Sequence, residues 1–328
     1  MISVIIPTRN RAKFINKALK SLLNQNLPIS DFEVLVINNG STDNTSEIIS
    51  IYKNQLYNLR EIIISEPGLH NGRHAGMKNA KGNILVFADD DIEAFPTWLS
   101  SIYLAFKDPD VAMVGGNNYP LFLKTPPKWL YNMWFCKRNK NYKSIPSLSI
   151  IEFNQCSKNI SPYLIWGCNF PIRKSVLLAS GGFHPDAMPE NLIRFRGDGE
   201  THVSKYVFEN RLKCIFSPGA SVYHKVTPER MTIDYFYKRG FNQGISDSFT
   251  KLREAGLKLN NQKSNASVLI VKVLMYLKNI IEKIIISSSE KKIKDTELAG
   301  YKEGFKFHQN VYYNDIEIRE WVHKDNYM

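Results

Sequence analysis

The sequence predicts an α/β fold: an open, mostly parallel sheet flanked by helices, with a helical C-terminal extension. Three observations carry this. Short β-branched apolar runs alternate with helical patterns through the first half of the chain, as in a parallel sheet covered on both faces. Helical periodicity dominates from Ile233 onward. The 328 residues, 43% hydrophobic and 23% charged, have the composition of a globular protein with a sizeable core.

Taken in order, residues 3–7, 33–38, 61–65, 83–88 and 111–115 read as strands, each brief, apolar and bounded by turn residues. Between them, residues 12–26, 45–57, 73–80 and 96–106 read as helices. The second carries a start signal, since Asn44 followed by Glu47 has capping-box spacing. From Tyr119 the texture turns to Pro, Trp, Tyr, Lys and Asn without periodicity. It runs through Pro126, Trp129, Trp134 and the lysine-rich stretch 137–143, and reads as long loops over the functional edge of the sheet. Order resumes near Tyr163, with a helix over 201–209 and a strand over 212–216. The implied division is one α/β half over 1–116, a second half of the same domain over 117–228, and a helical extension over 229–328.

Residues 1–8 show no basic leader, long apolar region or cleavage site, which predicts a cytoplasmic protein. Cys136, Cys156, Cys168 and Cys214 lack CxxC pairing and finger-spaced histidines, so they read as reduced thiols rather than a zinc ribbon or disulfide framework. The formal charge of +12 favours anionic partners. No nucleic-acid motif is present, so nucleic acid is not an expected partner. The apolar stretch 266–286 is broken by Lys272, Lys278, Glu282 and Lys283, short of an uninterrupted membrane span. Its apolar face could pack on the core or lie at an anionic membrane, leaving peripheral contact with the inner face of the plasma membrane open.

The feature that carries chemistry is Asp89-Asp90-Asp91, directly after the apolar run ending at Ala88. In an open parallel sheet, strand ends at a topological switch point form the ligand crevice. Three adjacent acids repel one another, and a divalent metal held by one or two of them, its shell completed by diphosphate oxygens, would relieve that repulsion. A solvated turn capping the next helix is the other reading. Two turns at the same edge favour a nucleotide: Pro7-Thr8-Arg9-Asn10-Arg11 and Asn38-Asn39-Gly40-Ser41-Thr42-Asp43. Each offers amides, hydroxyls and helix N-terminal NH groups. Neither contains GxGxxG, so the usual dinucleotide cradle is absent.

With these turns and acids, the ordered segments Gly72-Arg73-His74-Ala75-Gly76, Gly167-Cys168-Asn169, Gly181-Gly182-Phe183, Gly197-Asp198-Gly199-Glu200 and Val222-Tyr223-His224 make the chain resemble the family 2 inverting glycosyltransferases of GT-A fold. The resemblance covers roughly residues 2–225. It implies a nucleotide-diphosphate sugar donor, Mg²⁺ or Mn²⁺, and a glycan or lipid-linked acceptor. Pro7, Thr8, Asn10 and Arg11 would border the base and ribose, and Asn38, Asn39, Gly72 and Arg73 would help hold the nucleotide. Asp89 and Asp91 would form the metal-diphosphate site, joined by His224 on a turn after a strand, with Asp90 beside the donor. Without the resemblance, a lone His there reads as structural.

Inverting transfer needs a base to take the acceptor proton as its oxygen attacks the anomeric carbon, and a metal to offset charge on the leaving diphosphate. The family draws its base from a Glu-Asp pair before a helix. Counting back from Pro218 and His224 selects Glu200, residue type selects Asp198, and Glu200 is the narrow preference.

On the acceptor side, Trp129, Trp134 and Trp166 could stack on sugars or pack in the interior, with Gly167 and Asn169 nearby in sequence. Arg194 and Arg196 could pair with phosphate. Residues 228–244, with Arg230, Lys238 and Arg239, read equally as a basic helix near the diphosphate or a solvated face. Asn38 stands where many members carry a uracil-reading Asp, which makes UDP less secure as the donor nucleotide, and His74 replaces a common Asn. The implied setting is surface polysaccharide or glycolipid assembly. Two other classes compete: a catalytically silent nucleotide-sugar-binding scaffold, and a sugar-phosphate nucleotidyltransferase, which needs a Gly-rich basic loop that residues 7–11 lack.

Overall fold

The computed structural model describes residues 1–136, 141–154, 158–260 and 288–328. The chain forms two compact units, one of Met1–Thr125, Lys137–Pro228 and Asp325–Met328, the other of Pro126–Cys136 and Glu229–Lys324. The strands are β1 (Ile2–Thr8), β2 (Phe32–Asn39), β3 (Leu59–Ile64), β4 (Ile84–Ala88), β5 (Ile92–Ala94), β6 (Val111–Gly115), β7 (Asn118–Phe122), β8 (Tyr142–Ile145), β9 (Ile150–Phe153), β10 (Asn169–Arg173), β11 (Lys213–Phe216) and β12 (Val222–Val226). The α-helices are α1 (Ala12–Leu22), α2 (Thr45–Lys53), α3 (Leu69–Asn79), α4 (Trp98–Ala105), α5 (Lys128–Tyr131), α6 (Lys174–Ala179), α7 (Thr201–Glu209), α8 (Ile233–Asn260), α9 (Ser288–Asn314) and α10 (Ile316–His323).

The first unit holds a seven-stranded sheet in the order β11-β6-β10-β4-β1-β2-β3 and a five-stranded sheet in the order β5-β12-β7-β9-β8. In the larger sheet β4, β1, β2 and β3 are mutually parallel, and β6 is parallel to β11. Only β10 runs against its neighbours β4 and β6. Both faces are covered, which explains why the central strands are continuous apolar runs. Val4, Ile6, Val34 and Val36 face one core with Ile15, Leu19 and Trp98, whereas Ile5, Leu35 and Ile37 face the other with Phe87, Phe170, Phe183 and Val203. Helix α3 lies close on β1, since a Cβ on Gly76 would fall 2.2 Å from Ile5 Cγ2.

In the second unit α8 and α9 cross with their backbones in contact. A Cβ on Gly240 would lie 2.0 Å from the Glu297 carbonyl oxygen, one on Gly300 2.2 Å from that of Tyr237, and one on Gly304 2.0 Å from that of Phe241. Trp129 of α5 packs edge-on against Phe236 of α8, and Trp134 is buried in the same unit. Both indoles are packing residues there. In the basic stretch, Lys238 pairs with Asp234 at 2.9 Å and Arg230 donates to the Tyr235 hydroxyl at 3.1 Å.

Several expectations need correction. The region after Tyr119 is not simply loop, because β7, β8 and β9 lie within it and build the smaller sheet. These strands are short, and β7 and β8 are only partly buried, so their sequences lack a clean apolar alternation. The capping box on α2 does not form: Asn44 makes no side-chain cap, and Asp43 Oδ1 instead accepts from the Thr45 NH at 3.1 Å. Asp43 Oδ2 also accepts from the Ala12 NH at 3.2 Å, so one carboxylate serves the starts of α1 and α2. Stretch 266–286 lies outside the described residues. Among the described residues, no helix is long and apolar enough to cross a membrane. Cys168 and Cys214 are buried thiols.

Each unit contains a histidine buried in its neutral form. His74 accepts a hydrogen bond at Nε2 from the Phe183 NH at 2.9 Å, which an imidazolium could not do. Burial first, and His70 beside it, push His74 down to about 3. Burial pushes His308 down to about 4, and its Nδ1 meets the Ser248 hydroxyl at 2.9 Å. Because both folded-state values lie below the unfolded one, the native state binds fewer protons and stability falls as pH drops below about 6.5. Between pH 7 and pH 5, each histidine is expected to cost its unit roughly 2 kcal/mol. Urea unfolding across that range checks this, and His308→Gln should flatten the pH dependence of the second unit alone.

Candidate active site

The parallel pairing of β1 with β4 brings the turn after β1 beside the three acids. Thr8 Oγ1 donates to Asp90 Oδ2 at 2.6 Å. Arg11, just before α1, spans two acids, with Nε 2.6 Å from Asp90 Oδ1 and Nη2 2.7 Å from Asp91 Oδ2. Thus Thr8 and Arg11 hold the acids in place. Burial pushes Asp90 up to about 7, against the pull of Arg11. Asp89 is also raised, by burial first and then by Asp91, and this is opposed by Arg73 and His224.

His224 lies in the middle of β12, paired with Ile92 of β5, rather than on the expected turn. The ladder carries it directly to the residue after the acids. Its Nδ1 meets the Leu148 carbonyl oxygen at 3.0 Å. A carbonyl only accepts, so Nδ1 carries the hydrogen and Nε2 of a neutral ring presents a lone pair. That lone pair faces Asp91 Oδ1 at 3.2 Å. With the ring neutral, Nε2 and Asp91 Oδ1 are two acceptors that a cation would bridge. One ligand atom each from Asp89, Asp91 and His224 lies within 4.8 Å of the others. Two carboxylates and an oriented imidazole form a donor set that fits a divalent ion such as Mn²⁺ or Mg²⁺.

A second group is assembled by α3, the turn before β10 and the start of α7. Glu200 Oε2 accepts from Arg73 Nη1 at 3.1 Å, and Oε1 accepts from the Gly167 NH at 3.2 Å. Burial opposes the charge on Arg73, and Glu200, Asp89 and Asp186 outweigh it, lifting its pKa above the ordinary value. Asp198 is held differently, with Oδ1 2.6 Å from Nδ1 of His184, whose ring stacks on His202 with centroids 3.7 Å apart. The Asp198 side chain is only 6% exposed, against 25% for Glu200, so Glu200 is the more accessible acid.

The other predicted site residues divide between the surface and the interior. Asn10, at φ +52, knits the turns after β1 and β2 by accepting from the Thr42 NH at 2.7 Å and donating its own NH to Ser41 Oγ at 2.9 Å. Asn39 donates to the Glu66 carbonyl at 3.0 Å. Gly72 packs against the Pro7 ring, which a Cβ there would meet at 3.0 Å. Asn38 is buried with its amide committed to Ser46, Glu61 and the Ser41 NH, so its side chain supports the turn.

Asn169 is likewise consumed by the structure, accepting from Trp98 Nε1 at 3.0 Å and donating to Asn118 and Ala220. Arg196 pairs with Asp186 at 2.5 Å, and Arg194 lies over the Phe195 ring. Trp166 is half-buried and donates to the Tyr163 carbonyl at 3.0 Å. His184, Asp186 and the Leu148 carbonyl escaped sequence reasoning. The run Gly181-Gly182-Phe183-His184-Pro185-Asp186 carries a signal for the first two, whereas a backbone carbonyl leaves none.

Fold and cluster together define a protein of GT-A type. The chain belongs to glycosyl transferase family 2, whose match spans residues 3–179. It is 38% identical over 117 residues to glycosyltransferase AglE of Haloferax volcanii, covering 35% of this chain and 38% of that protein. It is 32% identical over 206 residues to validoxylamine A glucosyltransferase of Streptomyces hygroscopicus subsp. jinggangensis, covering 57% and 47%. These matches span less than half the length of either relative. Among solved structures, mannosyltransferase PcManGT from Pyrobaculum calidifontis, in complex with GDP-Man and Mn²⁺, superposes with a TM-score of 0.53 at 17% identity over 98% of this chain and 82% of that one. S. aureus TarS 1-349, in complex with UDP-GlcNAc, does so with a TM-score of 0.52 at 18% identity over 97% and 77%. At these identities the likeness is one of fold.

Gly167 is the tightest point of the site. A Cβ there would fall 2.1 Å from Arg73 Nη2 and 3.1 Å from Glu200 Oε1, displacing the guanidinium from its carboxylate. Gly167→Ala is expected to lower sugar transfer about 100-fold, the loss that a misplacement of about 1 Å can bring. It should cost about 1–3 kcal/mol of stability. Steady-state kinetics beside urea unfolding checks both, and unchanged turnover would show that Arg73 yields without consequence.

Proposed function

We propose that this chain is a metal-dependent inverting glycosyltransferase that moves a sugar from a nucleotide diphosphate to a hydroxyl of a glycan or lipid-linked acceptor. The observation that carries the reading is the convergence of Asp89, Asp91 and His224 with Glu200 and Arg73 in one electrostatic neighbourhood, where Asp89 interacts with Arg73, His224 and Glu200 alike. Family membership and neighbours of the same fold that hold UDP-GlcNAc, or GDP-Man with Mn²⁺, support the donor class and the ion. Names among the relatives, such as the poly(ribitol-phosphate) β-N-acetylglucosaminyltransferase TarS of Staphylococcus aureus, 38% identical over 91 residues, support a role in surface polysaccharide assembly.

In this reading the donor lies along the turns after β1 and β2, bordered by Pro7, Thr8, Asn10, Arg11, Asn39 and Gly72. Asp89, Asp91 and His224 would hold Mn²⁺ or Mg²⁺, which would offset the charge of the leaving diphosphate. Arg11 fixes Asp90 and Asp91 in the geometry this requires. Glu200 takes the acceptor proton, its carboxylate fixed by Arg73 and the Gly167 NH. Asp198 anchors the catalytic loop through His184. Asn38 leaves recognition of the base to backbone groups of its turn and to Asn39, so the nucleotide is not restricted to uridine. Trp166, Gly167 and Arg194 border the acceptor.

The test is a nucleotide-sugar panel assayed with Mn²⁺ or Mg²⁺ and a lipid-linked acceptor mixture, alongside calorimetry of donor binding. Glu200→Gln should reduce turnover by about 10²–10⁴-fold while donor affinity persists. Asp91→Asn should abolish the metal-assisted part of that affinity. Metal-assisted donor binding with no transfer to any acceptor would identify a silent scaffold, and turnover surviving Glu200→Gln would remove Glu200 as the base.

A further inference from the structure

The face of the β5-β12-β7 ladder opposite the cation cluster carries features that the transfer site does not use. Tyr223 pairs with Glu93 and with Tyr119, whereas His224 pairs with Ile92 and Pro120. Side chains alternate across a strand, so Tyr223, Glu93 and Tyr119 share the face turned away from His224. The exposures agree, at 44% for Tyr223 and 1% for His224. The rings of Phe95, Tyr119 and Tyr223 form a cluster with centroids 5.8, 5.0 and 6.1 Å apart. Beside it opens a cavity of about 470 Å³, lined by Tyr223, Phe95 and Glu93 on one side and by Lys17 and Lys20 of α1, with Asn24 in the turn after it, on the other.

The charges lining the cavity are not balanced. Glu93 is neutralised by Lys225 at 3.2 Å. Lys17 and Lys20 are exposed and have no ion-pair partner among the described residues. The cavity therefore combines an aromatic wall, an amide able to donate and accept, and a cationic rim, within the size range of small-ligand sites.

We propose that this cavity is an accessory binding site for a pyranose bearing an anionic group, a carboxylate or a phosphate, and that it acts apart from the transfer site. The CH face of a pyranose is apolar and lies on an exposed tyrosine ring. Its hydroxyls need partners of the kind Asn24 offers, and its anion needs the two lysines. A lipid surface is flat and does not enter a concavity of this kind. An acidic saccharide uses all three groups at once.

The experiment titrates the full chain by NMR and calorimetry with trigalacturonate, glucose 6-phosphate, maltotriose and inorganic phosphate, and separately with vesicles containing phosphatidylglycerol. Binding of trigalacturonate or glucose 6-phosphate is expected and identifies the anion. Tyr223→Ala should weaken it about 10-fold, whereas Tyr223→Trp should preserve it and so separate stacking from misfolding. Lys17→Glu with Lys20→Glu should abolish the preference for acidic over neutral sugar. Asp91→Asn should leave this binding unchanged while altering donor binding, which distinguishes the two sites. The proposal is overturned by no binding of either acidic sugar at 10 mM, by maltotriose binding as well as trigalacturonate, or by inorganic phosphate binding as well as glucose 6-phosphate. Binding unaffected by Tyr223→Ala would overturn it too, and vesicle binding lost in Tyr223→Ala would mark the face as a membrane contact instead.

Discussion

Three consecutive carboxylates at the end of a buried strand repel one another, and much of the first unit is arranged around containing that repulsion. Asp90 is held by Thr8 and Arg11, and Asp91 by Arg11. The charge on Asp89 is favoured by Arg73 and His224. These partners come from the turn after β1, from α3 and from β12, segments far apart in sequence. The topology is what supplies them. β1 must lie beside β4, α3 must close on β1 at Gly76, and β12 must pair with β5 in a register that sets His224 opposite Ile92. Each packing requirement is also an electrostatic one.

Beyond the acids, a second rank of contacts gives two nearby carboxylates different characters. Asp198 and Glu200 are separated only by Gly199. The loop is fastened to the segment 184–186 by backbone bonds from Gly197 NH to Pro185 O and from His184 NH to Gly199 O. Asp198 turns into the His184–His202 stack, and Glu200 turns to Arg73 and the Gly167 NH. Gly199 makes the divergence feasible, since its φ of +55 lies in the left-handed region that glycine enters at little cost. A buried anchor and a more open carboxylate thus arise from one three-residue turn. Their different settings follow from packing, which buries Asp198, the acid that residue type selects, and leaves Glu200 more open.

How far the sequence discloses this arrangement depends on whether a feature is local. Strands β1, β2, β4 and β6 are legible because both their faces are buried and they read as uninterrupted apolar runs. Helix α7 matches its predicted bounds, since its apolar positions follow one turn after another. Strand β10 carries Pro171, and β7 is half-exposed, so neither has the pattern that marks a strand. The acids and the turns Pro7 to Arg11 and Asn38 to Asp43 are visible as clusters. Their partners are not. That Asn38 and Asn169 spend their amides inside the fold, that Arg196 belongs to Asp186, and that Leu148 orients His224 are relations between distant residues. Position in three dimensions decides them.

The charge balance of the site gives the last step. Asp89, Asp90, Asp91 and Glu200 face the guanidinium groups of Arg11 and Arg73, an excess of two negative charges in a buried setting if His224 is neutral. Burial first, and repulsion from Asp91 beside it, raise Asp89 and Asp90 above the ordinary carboxylate range. A single divalent cation would cancel the excess. That cation would sit where Asp89, Asp91 and His224 converge, rather than at Asp90, because Asp90 has both oxygens occupied by Thr8 and Arg11. The middle acid therefore differs from its neighbours through its hydrogen bonds and not through its chemistry. Arg11 spans Asp90 and Asp91 and ties the two carboxylates together, and Thr8 adds its bond to Asp90 alone.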